Sequence, residues 1–138
     1  MLSIEKVLHT GRTLTHGGRD GHARSDDGHL DIRLSPPGTV GAGTNPEQLL
    51  AAAWSACFIG TLRQAANARR IVFPVDAAVA TEVDLGHAQS GFFLRARFAV
   101  SLPGIDADVA QQLIEAAHHN CPYSKAMRGN VDVATQLA

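Results

Sequence analysis

The sequence has no excess of basic residues, since its 12 lysines and arginines stand against 13 aspartates and glutamates in 138 residues. So balanced a charge argues against dedicated nucleic-acid binding, which depends on a surplus of cations. The sequence also lacks an apolar run of about 18 residues, the length that a membrane-spanning helix needs. Its first residues carry charges where a signal peptide is apolar. We therefore expect a cytoplasmic protein that binds neither nucleic acid nor membrane.

Aromatic residues are also scarce, at 5% of the sequence, whereas hydrophobic residues make up 45% of it and charged residues 18%. This composition is typical of a globular chain with a compact core, and it excludes a collagen-like, coiled-coil or disordered chain. Neither a repeat nor a low-complexity tract nor an interdomain linker interrupts the sequence. We therefore expect a single domain over residues 1–138.

Only two cysteines are present, Cys57 and Cys121. They are too few and too widely spaced for a zinc ribbon or a disulfide scaffold. In a cytosolic chain, two such thiols are either small buried hydrophobic residues or a redox pair that forms a transient disulfide. The number of cysteines alone favours buried thiols, so the choice between the two alternatives depends on the residues around each cysteine.

Periodicity predicts an α+β fold rather than regular βαβ alternation, because hairpins are interspersed with two helices. Glycine-rich turns are expected at 16–21 and 26–28. The predicted strands cover 3–15, 29–34, 77–85, 92–102 and 131–137.

The first helix has a strong start signal, since Asn45 can cap it and Pro46 suits its first position. The residues that follow are apolar on every face as far as Ile59, which predicts a central helix buried on all sides. A second helix is predicted over 108–119, with Asp106 or a neighbour as its cap and with Cys121 and Pro122 ending it.

Cys57 lies within the apolar helix, where a thiol without a neighbouring cation has a raised pKa and is inert. Its own helix carries no cation before Arg63, so an activating charge has to come from elsewhere. Arg19, in a glycine-rich turn, is the best candidate, although most loop arginines are simply solvated. Glu47 is a second candidate, although an acid in the first turn of a helix is also explained by the helix dipole.

Cys121 stands at the end of the second helix beside a proline, and we expect it to be more accessible and more mobile than Cys57. Those properties suit a resolving cysteine, which approaches its partner after oxidation. His118 and His119 lie close by and raise the question of a metal. Their spacing matches no zinc motif and the sequence has no HExxH, so we expect no metal site.

Taken together, these segments resemble the organic hydroperoxide resistance branch of the Ohr/OsmC family. The resemblance implies an α+β fold with antiparallel β-sheets around a long buried central helix and a second helix, in an intertwined homodimer. The matching stretches are GGRDGHARSDDGHLDIRLS (17–35), GAGTNPEQLLAAAWSACFIGTL (41–62), SLPGI (101–105) and CPYSKAMRGNVDV (121–133).

The same resemblance implies a cysteine-based peroxidase, without a cofactor, that reduces alkyl and fatty-acid hydroperoxides to alcohols. It gives Cys57 the peroxidatic role and Cys121 the resolving role, with Arg19 as the activating cation and Glu47 as its carboxylate partner. Lipoylated proteins or dihydrolipoamide are the implied reductants. The alternatives are an OsmC-type peroxidase of broader substrate range and a non-catalytic binding member of the same fold.

This sequence departs from the family pattern at a few positions. Trp54 and Met127 stand where many members have other residues, and the Pro/Gly loop before Gly41 looks shorter. The loop bears on access to the site and therefore on substrate preference.

Helix geometry adds an expectation about assembly. Glu47 and Cys57 are ten residues apart on what reads as one helix, which separates their backbones by about 15 Å along the axis. If both belong to one site, either an antiparallel helix of a second subunit supplies one of them or the helix breaks sharply between them.

Overall fold

The computed structural model describes residues 3–138, which form two compact units, one ending at Pro46 and one running from Glu47 to Ala138. The fold is α+β, as predicted, with one strand and one helix more than the sequence indicated. Along the chain the elements are β1 (Thr13–His16), β2 (His22–Ser25), β3 (Asp31–Arg33), α1 (Pro46–Ala68), β4 (Ala78–Ala88), β5 (Gly91–Ser101), α2 (Ala107–Asn120), α3 (Pro122–Met127) and β6 (Asp132–Leu137).

The N-terminal unit is built on an antiparallel sheet in the order β1-β2-β3. A short 3₁₀ helix, Gly18–Asp20, connects β1 to β2 and carries Arg19. The chain enters it through Gly17 and Gly18, whose φ angles of 74° and 67° lie in the left-handed region. Only glycine adopts that region freely, so the glycine-rich turn noted in the sequence is a requirement of this backbone.

The predicted strand over 3–15 is wrong for most of its length, because among the described residues strand structure begins only at Thr13. Ile4 and Leu8 are 80% and 87% exposed, so the apolar residues of this stretch are not anchored on the unit's sheet. Strand β2 was not predicted, since its four residues lie between two turns and only Ala23 among them is buried. The strand predicted over 29–34 is confirmed by β3, which pairs with β2.

Helix α1 begins at Pro46, as predicted, and runs unbroken to Ala68. The prediction that it is buried on all sides is wrong for the single chain, because one face only is buried. The residues of the buried face recur every four positions and are Trp54, Phe58, Leu62 and Ala66. The exposed positions on the opposite face are small, at Ala52, Ala56 and Gly60. An isolated chain therefore leaves one face of small residues uncovered.

The C-terminal sheet has the order β4-β5-β6. The predicted hairpin is confirmed, but its strands extend further than expected, because Ala88 pairs with Gly91 and leaves a turn of two residues. Strand β6 is confirmed near its predicted limits and runs parallel to β5. The sheet is therefore mixed, whereas the sequence indicated antiparallel pairing alone.

The predicted alternation along β5 is also confirmed. Ala96, Phe98 and Val100 are buried on one face of the strand. On the other face Arg97 donates hydrogen bonds to Asp84 and Glu82 of β4. This division places the apolar face of the sheet against the core and a network of charges on the other side.

Helix α2 agrees with its prediction to within a residue at each end, and Leu113 and Ala117 lie in its buried stripe. Cys121 ends it, as expected. Helix α3 was not predicted, because a proline directly after a helix reads as a stop signal. Pro122 is instead the first residue of α3, a position where its missing N–H is not needed. None of the helices within residues 3–138 is both long and apolar enough to cross a membrane.

Candidate active site

The structure brings the two cysteines together. Cys57 lies in the middle of α1 and Cys121 at the junction of α2 and α3, and their Sγ atoms are 3.3 Å apart. Both thiols are free. A disulfide has an S–S length of about 2.05 Å, so a small displacement of either side chain would close the bond.

The two thiols differ in exposure, in the opposite sense to the one predicted. Cys121 is 0% exposed, whereas Cys57 is partly exposed. Cys121 is covered because α3 continues the chain directly beyond it and its side chain joins the core cluster. Cys57 lies one position along α1 from the exposed Ala56 and therefore at the border of the uncovered helix face.

The environment of Cys57 favours the neutral thiol. Burial raises the pKa of Cys57, and the contact with the Cys121 thiol raises it further. The backbone N–H of Tyr123, in the first turn of α3, donates a hydrogen bond to Cys57 and acts in the opposite sense, but the balance is a raised pKa. The raised pKa lowers the fraction of Cys57 that is thiolate at neutral pH, and the thiolate is the nucleophilic form.

The two sulfurs lie against an apolar core that contains several aromatic rings, since Cys121 is a member of the core cluster and Cys57 packs against it. Trp54 and Phe58 precede and follow Cys57 on α1, and their rings lie 4.9 and 5.3 Å from that of Phe98 on β5. The His118 ring packs against Phe58 at 4.4 Å. The side of the cysteine pair that faces the core is therefore largely apolar.

A partly buried hydrogen-bond network includes Trp54 and His118, and the sequence did not reveal it. Trp54 Nε1 donates to Ser124 Oγ at 2.9 Å. His118 Nδ1 lies 3.1 Å from the same oxygen, and its Nε2 lies 2.8 Å from Thr135 Oγ1. The sequence carried one usable signal, a serine and a histidine close to Cys121, but His118 was weighed only as a metal ligand. Within residues 3–138 no cluster of three His, Cys, Asp or Glu side chains is arranged to hold a metal ion.

The other two predicted site residues lie elsewhere along the chain. Arg19 is exposed on the 3₁₀ helix of the N-terminal unit. Glu47 is in the first turn of α1, in the same unit as the cysteines. Because α1 is unbroken, Glu47 and Cys57 of one chain are about 15 Å apart along the helix axis. This rules out the sharp break considered as an alternative. A role for Arg19 or Glu47 at the cysteines stays a prediction.

Comparison with known proteins gives consistent matches. The family model described as OsmC-like protein matches residues 38–136. The organic hydroperoxide resistance protein of Xanthomonas axonopodis pv. citri is 42% identical over 142 residues, which cover 100% of this chain and 100% of that protein. The crystal structure of OhrB of Bacillus subtilis is 42% identical and superposes with a TM-score of 0.90, covering 96% of this chain and 100% of that one. An organic hydroperoxide resistance protein from Legionella pneumophila also has a TM-score of 0.90, at 39% identity, over 96% and 99% of the two chains.

Proposed function

This chain belongs to the organic hydroperoxide resistance branch of the OsmC-like protein family, and we propose that it is a cysteine-based peroxidase that reduces organic hydroperoxides to alcohols. The observation that carries the proposal is the 3.3 Å separation of the Cys57 and Cys121 sulfurs. Two unrelated thiols in a core need not be in contact, whereas two cysteines that form a disulfide have to bring their sulfurs together. Resistance to organic hydroperoxides is the property for which the relatives are named.

The chemistry balances with these two residues alone for one turnover. The Cys57 thiolate attacks the terminal peroxide oxygen, the O–O bond breaks, and the alkoxide takes up a proton and leaves as the alcohol. Cys57 is thereby oxidised to a sulfenic acid. The Cys121 thiolate then attacks the Cys57 sulfur, the S–O bond breaks, and hydroxide takes up a proton and leaves as water. The product is the Cys57–Cys121 disulfide.

The exposures of the two thiols support this division of roles. A peroxidatic cysteine has to meet the substrate, and Cys57 is the partly exposed member of the pair. A resolving cysteine has only to reach its partner, which the buried Cys121 does without leaving the core. Cys57 packs against an apolar core, and apolar surroundings favour alkyl and fatty-acid hydroperoxides over hydrogen peroxide.

Reduction of the disulfide completes the cycle, and we assign this step to a dithiol carried by a lipoylated protein or to free dihydrolipoamide. Attack by one thiolate gives a mixed disulfide, and the second thiol of the same dithiol releases the protein in its reduced form. Cys57 offers the accessible sulfur for that attack, because Cys121 is 0% exposed.

We assign the activation of Cys57 to Arg19, with Glu47 orienting the guanidinium. The C-terminal unit by itself raises the pKa of Cys57, so a neighbouring cation is what the thiol needs to react as a thiolate at neutral pH. Arginine remains charged in an apolar site and presents a fork that fits a carboxylate.

A homodimer follows from the same proposal. The uncovered face of α1, with Ala52, Ala56 and Gly60, allows close approach of a second helix, and a Cβ at Gly60 would meet no atom within 4 Å. A two-fold axis would place identical faces together. It would also bring Glu47 of one subunit toward Cys57 of the other, which the distance along α1 prevents within one subunit.

Steady-state turnover with tert-butyl and fatty-acid hydroperoxides tests the proposed function. We expect sustained reduction with dihydrolipoamide or a lipoylated protein as reductant, and little with thioredoxin. Hydrogen peroxide should be reduced more slowly than either organic substrate. Comparable rates for all three peroxides would point to an OsmC-type peroxidase of broader range. Absence of peroxide-dependent thiol loss would instead identify a binding protein of this fold.

The role of Arg19 is tested by titrating Cys57. Arg19→Ala should raise the pKa of Cys57 and slow its oxidation at neutral pH by about tenfold, because the thiolate loses its opposite charge. Glu47→Ala should act in the same sense but more weakly. Since the lost quantity is the thiolate fraction, the variants should approach the wild-type rate at high pH. Thiolate absorbance against pH gives the titration.

Arg12→Ala is the matched control, since Arg12 is an exposed arginine of the same unit, 3.9 Å from Asp26. It should leave the titration of Cys57 unchanged. If the Cys57 titration is also unchanged in Arg19→Ala and Glu47→Ala, neither residue activates Cys57. Arg19 is then a solvated turn residue, and Glu47 only interacts with the helix dipole.

A further inference from the structure

Ser124 is the centre of a hydrogen-bond network that is buried at Trp54 and partly buried at His118 and Thr135. The residue is 6% exposed, and its Oγ binds both Trp54 Nε1 at 2.9 Å and His118 Nδ1 at 3.1 Å. His118 continues the network through Nε2 to Thr135 Oγ1 at 2.8 Å. The four side chains belong to four different elements, α1, α2, α3 and β6.

One arrangement of protons satisfies every member of this network. Trp54 can only donate, so Ser124 Oγ accepts from it, and in this arrangement Ser124 donates its own proton to His118 Nδ1. His118 Nε2–H then donates to Thr135 Oγ1. This arrangement requires a neutral imidazole, and burial together with the nearby Arg128 lowers the pKa of His118, which favours that form. No buried side-chain nitrogen or oxygen in residues 3–138 lacks a partner.

The network lies where it can control the geometry of the two sulfurs. Ser124 is three residues after Cys121 and directly follows Tyr123, whose N–H donates to Cys57. Trp54 is three residues before Cys57 on α1. The bond from Trp54 to Ser124 therefore ties the first turn of α3 to the turn of α1 that carries Cys57. His118 ties the same serine to the last turn of α2, directly before Cys121.

We propose that Ser124 is a positioning residue for disulfide formation, which holds α3 so that the Cys121 sulfur stays within reach of Cys57 after Cys57 is oxidised. This inference rests on the proposed function. In the step concerned, the Cys121 thiolate attacks the Cys57 sulfenic acid, the S–S bond forms, the S–O bond breaks, and the hydroxide leaves as water after taking up a proton. The Cys57 sulfur is reduced as it passes from sulfenic acid to disulfide, and the Cys121 sulfur is oxidised as it passes from thiolate to disulfide.

A positioning role has a specific consequence, because a second peroxide competes with Cys121 for the sulfenic acid. Removal of the Ser124 hydroxyl leaves Trp54 and His118 without their shared partner and frees the start of α3 to shift. Misplacement by about 1 Å slows a reaction between two positioned groups by about 10- to 100-fold. The first oxidation involves the peroxide and Cys57 and is measured separately, so the division of the sulfenic acid between disulfide and sulfinic acid reports the second step alone. Overoxidation of Cys57 to sulfinic acid should therefore rise as disulfide formation falls.

The experiment follows both steps in single turnover. Reduced protein is mixed, without reductant, with one equivalent of cumene hydroperoxide to follow disulfide formation and, in a parallel sample, with an excess that supplies the second oxidant for sulfinic acid. Both samples are quenched at intervals, and mass spectrometry then measures sulfenic acid trapped by dimedone, disulfide and sulfinic acid. The variants are Ser124→Ala, Ser124→Thr, which keeps the hydroxyl, and Trp54→Phe, which keeps a large ring but removes the N–H. Ser55→Ala is the matched control, since Ser55 is a half-buried serine of α1 that bonds to Ala51 and Thr81 and not to α3.

We expect slow disulfide formation and more sulfinic acid in Ser124→Ala and Trp54→Phe, recovery in Ser124→Thr, and wild-type behaviour in Ser55→Ala. If Ser124→Ala does not fold, Trp54→Phe carries the test. Wild-type rates of disulfide formation in both Ser124→Ala and Trp54→Phe would overturn the inference while leaving the proposed function in place. An equally slow disulfide formation in Ser55→Ala would also overturn the inference, because it would show that any loss of packing in this region has the same effect. If the wild-type protein forms no disulfide, the proposed function and this inference fail together.

Discussion

Replacement of Cys57 by serine is expected to abolish peroxide reduction, whereas replacement of Cys121 should leave one turnover intact. A serine hydroxyl has no accessible anion at neutral pH, so Cys57→Ser should lose activity by about three orders of magnitude or more. Cys121→Ser keeps the nucleophile and should consume about one equivalent of peroxide per chain before it stalls as sulfenic acid or overoxidises. Peroxide consumed per chain, measured without reductant, separates the two variants.

Two controls keep this comparison specific. Cys121 is 0% exposed in the core cluster, so a serine there buries a hydroxyl that needs a hydrogen-bond partner. Cys121→Ala removes the thiol without adding that requirement and should behave in the same way. Thermal unfolding of each variant should show a folded chain. Sustained turnover by Cys57→Ser would contradict the assignment, and equal failure of both variants in the first turnover would remove the distinction between their roles.

Mixing the inactive Cys57→Ser with the slow Arg19→Ala is expected to restore activity if the site is shared between subunits. Glu47 and Cys57 lie about 15 Å apart along the unbroken α1, so Glu47, and Arg19 with it, should serve Cys57 of the other subunit. A heterodimer of Cys57→Ser and Arg19→Ala then contains one intact site, with Cys57 from the Arg19→Ala chain and Arg19 from the Cys57→Ser chain. Random exchange makes half of the dimers heterodimers, so recovery should reach about a quarter of the wild-type activity.

The two subunits can carry different affinity tags, so that tandem purification isolates the heterodimer and shows that exchange occurred. A mixture of Cys57→Ser with Cys57→Ala is the matched control, because no pairing of these chains contains a nucleophile. Isolated heterodimers of Cys57→Ser and Arg19→Ala that are no more active per Cys57 than Arg19→Ala itself would assign each site to one chain. They would also leave the small-residue face of α1 without the role proposed for it.

Local signals in the sequence were sufficient to predict secondary structure and burial wherever a segment had a clear pattern of its own. Pro46 marked the start of α1 because its fixed backbone angle and missing N–H suit the first helical position. The alternation along β5 placed Phe98 inside and Arg97 outside because successive side chains of a strand point to opposite faces. The same signals misled where they were ambiguous, and Pro122 read as the end of one helix when it also begins the next.

The sequence by itself determined the fold class, the start of α1, the limits of α2 and the two cysteines as the candidate redox pair, because each depends on residue type and local spacing. Tertiary structure alone decided that the Cys57 and Cys121 sulfurs lie 3.3 Å apart, that Cys121 is the buried one, and that Ser124 links α3 to α1 and α2. These facts depend on how distant segments pack. A contact between residues far apart in the sequence produces no periodic pattern from which it could be predicted. A buried serine and an exposed one look alike in sequence, because only the packed core determines which hydroxyl loses its water and has to find another partner.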